Sequence, residues 1–355
     1  MYSLDVQPRS AETGQALIAD AREYVKELEV PDTDDRGDHV SGLLICGVVT
    51  RKGEDAVDLR RTDEGFLLDY HVPDTDVVMP PGSALDELAR YAYAHNFEAG
   101  AAVVSSSMDR HFQTRKDTTW PSISISVPLI QIGDGQLRPG APRYIGRTAY
   151  TPSTIVTSRS TRDTGANVPV IEPYRKAATQ LAHGRAEQGA PIIFRDGTVY
   201  ELRTKTETIE PVSALDLVKD EMRLAVATSL GTWLASESFA ALYEGYVAPS
   251  PYDRSRVDAE VDRYFVGQQT ARGIHETLRQ VRGDLQITAA PSPNGEAADQ
   301  PVTFIGTRYN RAVNTRIAVS ALGGTVIYQR SQIATFAPFV QERIAKGSHR
   351  KPQRP

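Results

Sequence analysis

The apolar positions of the chain follow two periods. Leu17, Ile18, Ala21, Tyr24, Val25 and Leu28 recur at helical spacing after Ser10 and stop before Pro31, which predicts an amphipathic N-terminal helix packed on the main body. The polar, turn-rich "PDTDDRGDH" follows. The runs "VSGLLICGVVT" and "EGFLLDYHV" then have the Val, Ile and Leu content of buried strands, with Asp63-Glu64-Gly65 as the turn into the second. "SISISVPLI", residues 122 to 130, alternates so that Ile123, Ile125, Val127 and Leu129 share one face, and "DGQL" turns the chain back into an antiparallel partner.

The helical period returns in "PPGSALDELARYAYAH", where Ser83 is placed as N-cap, Asp86 as the other half of a capping box, and Leu85, Leu88, Ala89 and Ala92 as the apolar face. A helix from Pro173 to His183 precedes a hairpin signal at Asp196-Gly197. A long helix then covers roughly Ser213 to Phe239, with Ser213 and Asp216 at its start. Two helical segments at about 254 to 283 lead to "APSPNGEAADQP", which reads as an exposed loop. The helix "SQIATFAPFVQERIA" comes before the basic tail "HRKPQRP".

No internal repeat is visible. Strands first and helices later predict an α+β fold, an antiparallel or mixed sheet surrounded by helices. The expected division is an N-terminal helix and acidic loop over 1–39, a main domain over 40–346 and a basic tail over 347–355.

A chain of 355 residues can bury a substantial core. Its 40 Lys and Arg against 45 Asp and Glu leave a net charge of -5, so any attraction for RNA or phosphate must come from a local patch. The single Cys46, inside "GLLICGVV", excludes a disulfide framework and reads as a small buried hydrophobe. The N-terminus lacks a signal-type apolar core and no run approaches ~20 apolar residues, so the expectation is no membrane segment and a cytoplasmic location.

Phosphate-loop, dinucleotide-binding, serine-hydrolase and zinc motifs are all missing. The acidic run Asp32, Asp34, Asp35 and Asp38 has Gly37 at the sixth position of a calcium loop. However, Arg36 and Leu43 fall where that loop needs ligands, so it reads as a solvated loop. Tyr91, Tyr93 and His95 offer either core packing or a stacking surface. The charged stretch "RKGEDAVDLRR", residues 51 to 61, reads by itself as a solvated turn, with Arg60 and Arg61 loosely paired to Glu54, Asp55, Asp63 and Glu64.

Several segments, taken in order, resemble the RNB catalytic domain of the ribonuclease II and ribonuclease R family of metal-dependent 3′ to 5′ exoribonucleases. "EGFLLDYHVPDTDVVMPPGSALDELARYAYAHN" is similar to the family's H-I-A-D-V and P-G-S-x-L-D segment. "WPSISISVPLIQIGDGQL" resembles its strand pair, "AATQLAHGRAEQGAPI" its L-x-x-x-R-x-x-x-G-A helix end, and "VKDEMRLAVATSLGTWLA" with "ALYEGYVAPSP" its long helix and the sequel. The likeness covers roughly residues 40 to 345 and implies an RNB-like domain without flanking OB-type modules.

The resemblance also gives "RKGEDAVDLRR" a role. The family has an aspartate-rich metal-binding loop here; Asp55-Ala56 matches its D-A pair and Asp58 one catalytic aspartate, while Lys52, Arg60 and Arg61 fall on the other three carboxylate positions. Four carboxylates would sum to about −4, whereas these four residues sum to about +2, which repels Mg²⁺.

The family's C-terminal arginine motif compares with "GTRYNRAVNT", in which Arg311 keeps one arginine, Asn310 stands for the other and Asn314 replaces an aspartate. Lys219 and Asp220 stand at two acidic positions of the long helix, Val226 at an asparagine, Glu244 and Tyr246 at an arginine and a histidine, and Pro152 at a tyrosine.

The resemblance therefore implies an RNA-associated protein with lost or impaired exoribonuclease activity. Asp58 is its one retained catalytic carboxylate, and Lys52, Arg60, Arg61, Arg308 and Arg311 are candidates for binding phosphate. No metal site is expected, and Mg²⁺ would be required only if cleavage persists. The alternatives are an active exoribonuclease whose metal ligands come from elsewhere, such as the Asp32 to Asp38 loop, a non-catalytic scaffold for a protein partner, and an unrelated α+β protein. If the resemblance holds, residues 51 to 61 lie at the base of a narrow channel that faces residues 308 to 314.

Overall fold

The structure is a computed structural model that describes residues 4, 11–29, 33, 39–46, 55–95, 97–112, 118–133, 135–157, 169–188, 190, 192–203, 208–245, 251–281, 286–288 and 308–349. The acidic run 34–38, the Pro-rich loop 291–301 and the tail beyond His349 lie outside the described residues.

A closed barrel organises the first half of the chain. Strand β1 (His39–Cys46) pairs antiparallel with β2 (Ala56–Thr62), β2 with β3 (Gly65–Pro73), and β3 with β4 (Trp120–Gly133). Strand β6 (Tyr144–Thr157) pairs antiparallel with β4 and then runs parallel to β1, which closes the five-strand ring. The short β5 (Gln136–Pro139) extends β4 as a hairpin. Gly65, at φ 140°, ends the two-residue turn between β2 and β3, and a Cβ there would meet the Leu129 carbonyl oxygen at 2.2 Å. Only glycine fits.

The charged stretch read as a turn is largely strand β2. Its residues 56 to 62 pair in unbroken register with β3, from Ala56 opposite His71 to Thr62 opposite Gly65. Val57 and Leu59 supply the alternate apolar positions, and a strand face at a barrel end accommodates arginines whose heads reach water.

The barrel has two unlike faces. Val57, Leu68, Tyr70, Val72, Ile123, Ile125, Val127 and Leu129 point outward into a buried core with α4 (Glu172–Glu187) and α5 (Ala214–Ser236), including Leu181, Met222 and Val226. The alternate positions point inward, where five strands leave little room. They hold small or polar residues around Trp120 and Tyr150: Ala56, Ser122, Ser124 and Thr148. His71 Nδ1 lies 2.7 Å from Ser124 Oγ, Ser124 and Ser122 both hydrogen-bond the Thr148 hydroxyl, and Tyr150 stacks on His71 at 4.9 Å.

A second core joins α1 (Ala11–Glu27), α2 (Ala84–Ala94), α3 (Glu98–His111), α8 (Arg308–Leu322) and α9 (Arg330–His349) through residues such as Leu85, Leu88, Val313, Ile317 and Phe336. Tyr91 and Tyr93 belong to it, and Tyr91 stacks with His95. Ser83 caps α2 as expected, accepting from the Asp86 amide at 3.2 Å, but the Asp86 carboxylate accepts from the Gly82 amide instead of closing the box on Ser83.

α3 has no start signal, since Phe97 at its N-cap makes no side-chain cap. It forms because Gly100 lets it pack closely on Leu88 and Ala92. The Asp196-Gly197 turn, both residues at positive φ, joins β7 (Ile193–Arg195) to β8 (Thr198–Arg203), and β9 (Thr208–Pro211) completes that sheet. This sheet packs with α6 (Pro251–Phe265) and α7 (Ala271–Val281) in a third, smaller core. β10 (Tyr243–Gly245) pairs with β11 (Gln286–Thr288).

The barrel and the helical core are tied together at Arg316 of α8, whose side chain is 3% exposed. Its Nε donates to Asp76 at 2.5 Å, Nη1 to Asp86 at 2.9 Å, and Nη2 to the Met79 carbonyl. Arg147 of β6 reaches Asp74 and Asp76 at 3.2 Å from the other side. Burial pushes the Asp76 carboxyl above its ordinary value, and Arg316 opposes that shift.

Replacing Arg316 by Met is expected to lower stability by about 3–5 kcal/mol in urea unfolding, because buried Asp86 loses its Arg316 partner and Asp76 keeps only the half-exposed Arg147. Arg316→Lys will not restore the loss, since an ammonium cannot make the three directed bonds.

His71 gives a second prediction. Burial pulls its imidazole down to about 4, so it is neutral in the folded barrel. A depressed histidine contributes stability that is complete above its unfolded value of about 6.5 and is lost as pH falls toward 4, in total about 3 kcal/mol. Over that window the stability of wild type should fall more steeply than that of His71→Gln. The comparison cancels Asp76 and Glu221, whose raised values act with the opposite sign.

Candidate functional site

Strand alternation divides the charged stretch. Asp58 lies opposite Asp69 of β3, and Arg60 follows on the same face, whereas Arg61 belongs to the other face of β2. Two carboxylates opposed across a ladder repel each other, and each has its own donors. Asp58 accepts from the Leu59 amide at 2.9 Å and hydrogen-bonds the phenol of Tyr174 on α4, which burial first and Asp58 second push up to about 12. Asp69 Oδ2 accepts from Arg60 Nε at 3.1 Å and Nη2 at 2.6 Å, and its Oδ1 accepts from Ser126.

Arg60 is 60% exposed, so its ion pair is worth under about 1 kcal/mol. The partner is Asp69, not the neighbouring acids of its own segment. Lys52 lies outside the described residues, and so does the side chain of Arg308.

The contact with residues 308 to 314 is made by Asp55, the last residue before β2. Arg311, in the first turn of α8, donates from Nη1 to Asp55 Oδ1 at 2.5 Å. Tyr70 of β3 donates its phenol to Asp55 Oδ2 at 2.6 Å. Burial, and then the Asp55 charge, hold the Tyr70 phenol well above its ordinary value, so it remains a proton donor. Arg311 is thus joined to a residue that the sequence had marked only as half of a D-A pair.

The surrounding helix positions are set by further polar contacts. Asn314 is buried, with its amide group accepting from the Leu242 amide at 2.9 Å and donating to the Leu242 carbonyl at 3.0 Å, which fixes α8 against the entry to β10. On α5, Lys219 and Asp220 are exposed, Val226 is core, and the inward acid is Glu221, paired with Arg185 of α4 at 2.5 Å. Burial raises the Glu221 carboxyl and Arg185 counters it. The charges of Arg311 and, least of all, Arg223 of α5 oppose the rise of the Tyr70 phenol. The sequence reading missed the Arg185–Glu221 pair, because it exists only after α4 and α5 are packed.

The carboxylates described here do not fit a divalent-metal pair. Asp55 has one oxygen on Arg311 and the other on Tyr70, Asp69 is held by Arg60 and Ser126, and Asp58 is engaged by an amide and a phenol. Among the described residues no three His, Cys, Asp or Glu side chains converge as a metal site.

Arg311→Met should cost about 1–3 kcal/mol, since it leaves a mostly buried carboxylate short of a donor. Arg60→Ala should cost under about 1 kcal/mol. Urea unfolding of the two variants distinguishes the anchored arginine from the surface one.

No protein-family model and no curated protein matches this sequence. Solved structures do match in three dimensions. RNase R of Mycoplasma genitalium, in complex with ribose-methylated single-stranded RNA, is similar at TM-score 0.62 and 10% identity, over 94% of this chain and 62% of that one. The Dss1 exoribonuclease of Candida glabrata is similar at TM-score 0.65 and 12% identity, over 97% and 50%. Yeast Ssd1, a pseudonuclease, is similar at TM-score 0.59 and 14% identity, over 94% and 45%. The chain thus spans about half of the length of these neighbours, and what it shares with them is an RNB-like α+β fold.

Proposed function

We propose that this is a divergent RNB-domain protein that associates with single-stranded RNA and has lost or impaired 3′ to 5′ exoribonuclease activity. The observation that carries the reading is the ion pair between Asp55 and Arg311, which joins the segment matching the family's metal loop to the segment matching its arginine motif. Similarity of fold to RNA-processing nucleases and to a pseudonuclease supports it. RNase R was solved with single-stranded and with double-stranded RNA, which makes RNA the ligand class to test first.

The proposed loss of cleavage follows from the donor sets. Hydrolysis by the family chemistry needs free carboxylate oxygens for metal, and the Asp55, Asp58 and Asp69 carboxylates each spend theirs on protein donors. The proposed contacts with RNA are then made through guanidinium groups. No helix among the described residues is long and apolar enough to cross a membrane.

End-labelled single-stranded RNA incubated with the protein and Mg²⁺ or Mn²⁺ should remain full length, while binding persists in EDTA and weakens with salt. Progressive shortening that disappears in Asp58→Ala would show an active nuclease instead. Absence of RNA binding under every condition would leave the protein-scaffold alternative.

A further inference from the structure

A cleft lies where β5 meets α4 and α5, and none of residues 55 to 61 or 308 to 314 lines it. Glu221, Leu224 and Thr228 recur at helical spacing, so one stripe of α5 forms a wall. Leu181 and Arg185 of α4 and Leu137 and Arg138 of β5 complete it. Arg185 commits Nε and one N–H of Nη2 to Glu221, at 3.1 and 2.5 Å, and keeps its other N–H donors. Arg138 is exposed, and among the described residues its guanidinium has no hydrogen bond or ion pair. The Thr228 hydroxyl is likewise unengaged among them.

The charged groups lining the cleft are two arginines and one carboxylate, and the carboxylate is already bound to Arg185, so the net charge is positive. Asp220 acts on Glu221 from outside the lining, and its own neighbour is Arg223 at 3.7 Å. The balance admits one monoanion. Leu137, Leu181 and Leu224 make the rest of the wall apolar, which favours an ion with a hydrocarbon body over a bare inorganic one. The enclosed space is about 20 Å³, within a cleft of about 310 Å³ that includes its open mouth. At about 10–15 Å³ for one water-sized oxygen, that space fits the head of a carboxylate and is tight for a phosphate. We propose that this cleft binds a small aliphatic monocarboxylate, its carboxylate held by Arg138 and the remaining donors of Arg185, and its carbon chain lying on Leu137, Leu181 and Leu224. The proposal does not depend on the RNA-associated reading above.

The test is calorimetric titration of the full chain with sodium butyrate, against sodium chloride at matched ionic strength. Binding should saturate with a dissociation constant of roughly 1 mM, the range open to so small a ligand. Arg138→Gln, at an exposed position, should weaken it by roughly tenfold or more, because the charge-assisted bonds are lost. Leu224→Trp, which puts an indole into the cleft from a half-buried position, should abolish it, with thermal melts to confirm that the variant is folded. Inorganic phosphate should bind more weakly than butyrate, and n-butylamine should not bind.

Absence of saturable butyrate binding overturns the site. Butyrate binding that is unchanged in Arg138→Gln lies elsewhere on the protein and overturns it too; should Leu224→Trp fail to fold, this variant decides alone. Phosphate binding as tightly as butyrate overturns the role of the apolar wall, and binding of n-butylamine instead of butyrate overturns the sign of the ligand. Each outcome is read without RNA, so success or failure here is separate from that of the RNA-associated reading.

Discussion

Closure of the barrel is the constraint on which the rest depends. Once β6 runs parallel to β1, every strand has an inside and an outside, and a one-residue shift would exchange the two. The outside must be apolar where α4 and α5 cover it, and inside, where Trp120 and Tyr150 take up the space, the remaining positions must be small or internally hydrogen-bonded. The serine and threonine ladder beside His71 is the consequence. The same rule divides the charged stretch, sending Asp58 and Arg60 to one face and Arg61 to the other. A cluster that is continuous in sequence is thereby split in space.

That split marks where sequence reasoning stops. Ser83, Ser213 and the Asp196-Gly197 turn were legible because each acts through bonds within a few residues, and all three appear as expected. The strict alternation of residues 122 to 130 was legible for the same reason. β2 was not, because two arginines and an aspartate among seven residues resemble a solvated turn until β3 is placed beside them. α3 begins at Phe97 without a cap and depends on Gly100 packing against α2, a tertiary fact with no local sign.

The site was legible in outline only. Resemblance marked residues 51 to 61 and 308 to 314, and a direct bond does connect the two segments. The residue that makes it is Asp55, which the resemblance marked only as half of a D-A pair while it gave the catalytic position to Asp58. Arg60 found its partner nine residues away in Asp69, and Arg316 found two carboxylates more than two hundred residues away. Pairings of that range are set by packing, and composition contains no trace of them.

The electrostatics follow from how much water each pair retains. Arg316 is nearly enclosed, so it must satisfy several acceptors at once and holds the barrel to the helices. Arg60, mostly in water, adds little to stability. Arg311 lies between these extremes at 23% exposure, dry enough for a directed bond to matter. A carboxylate held by an arginine and a tyrosine is a poor metal ligand, because a cation would have to remove both donors before gaining two oxygens.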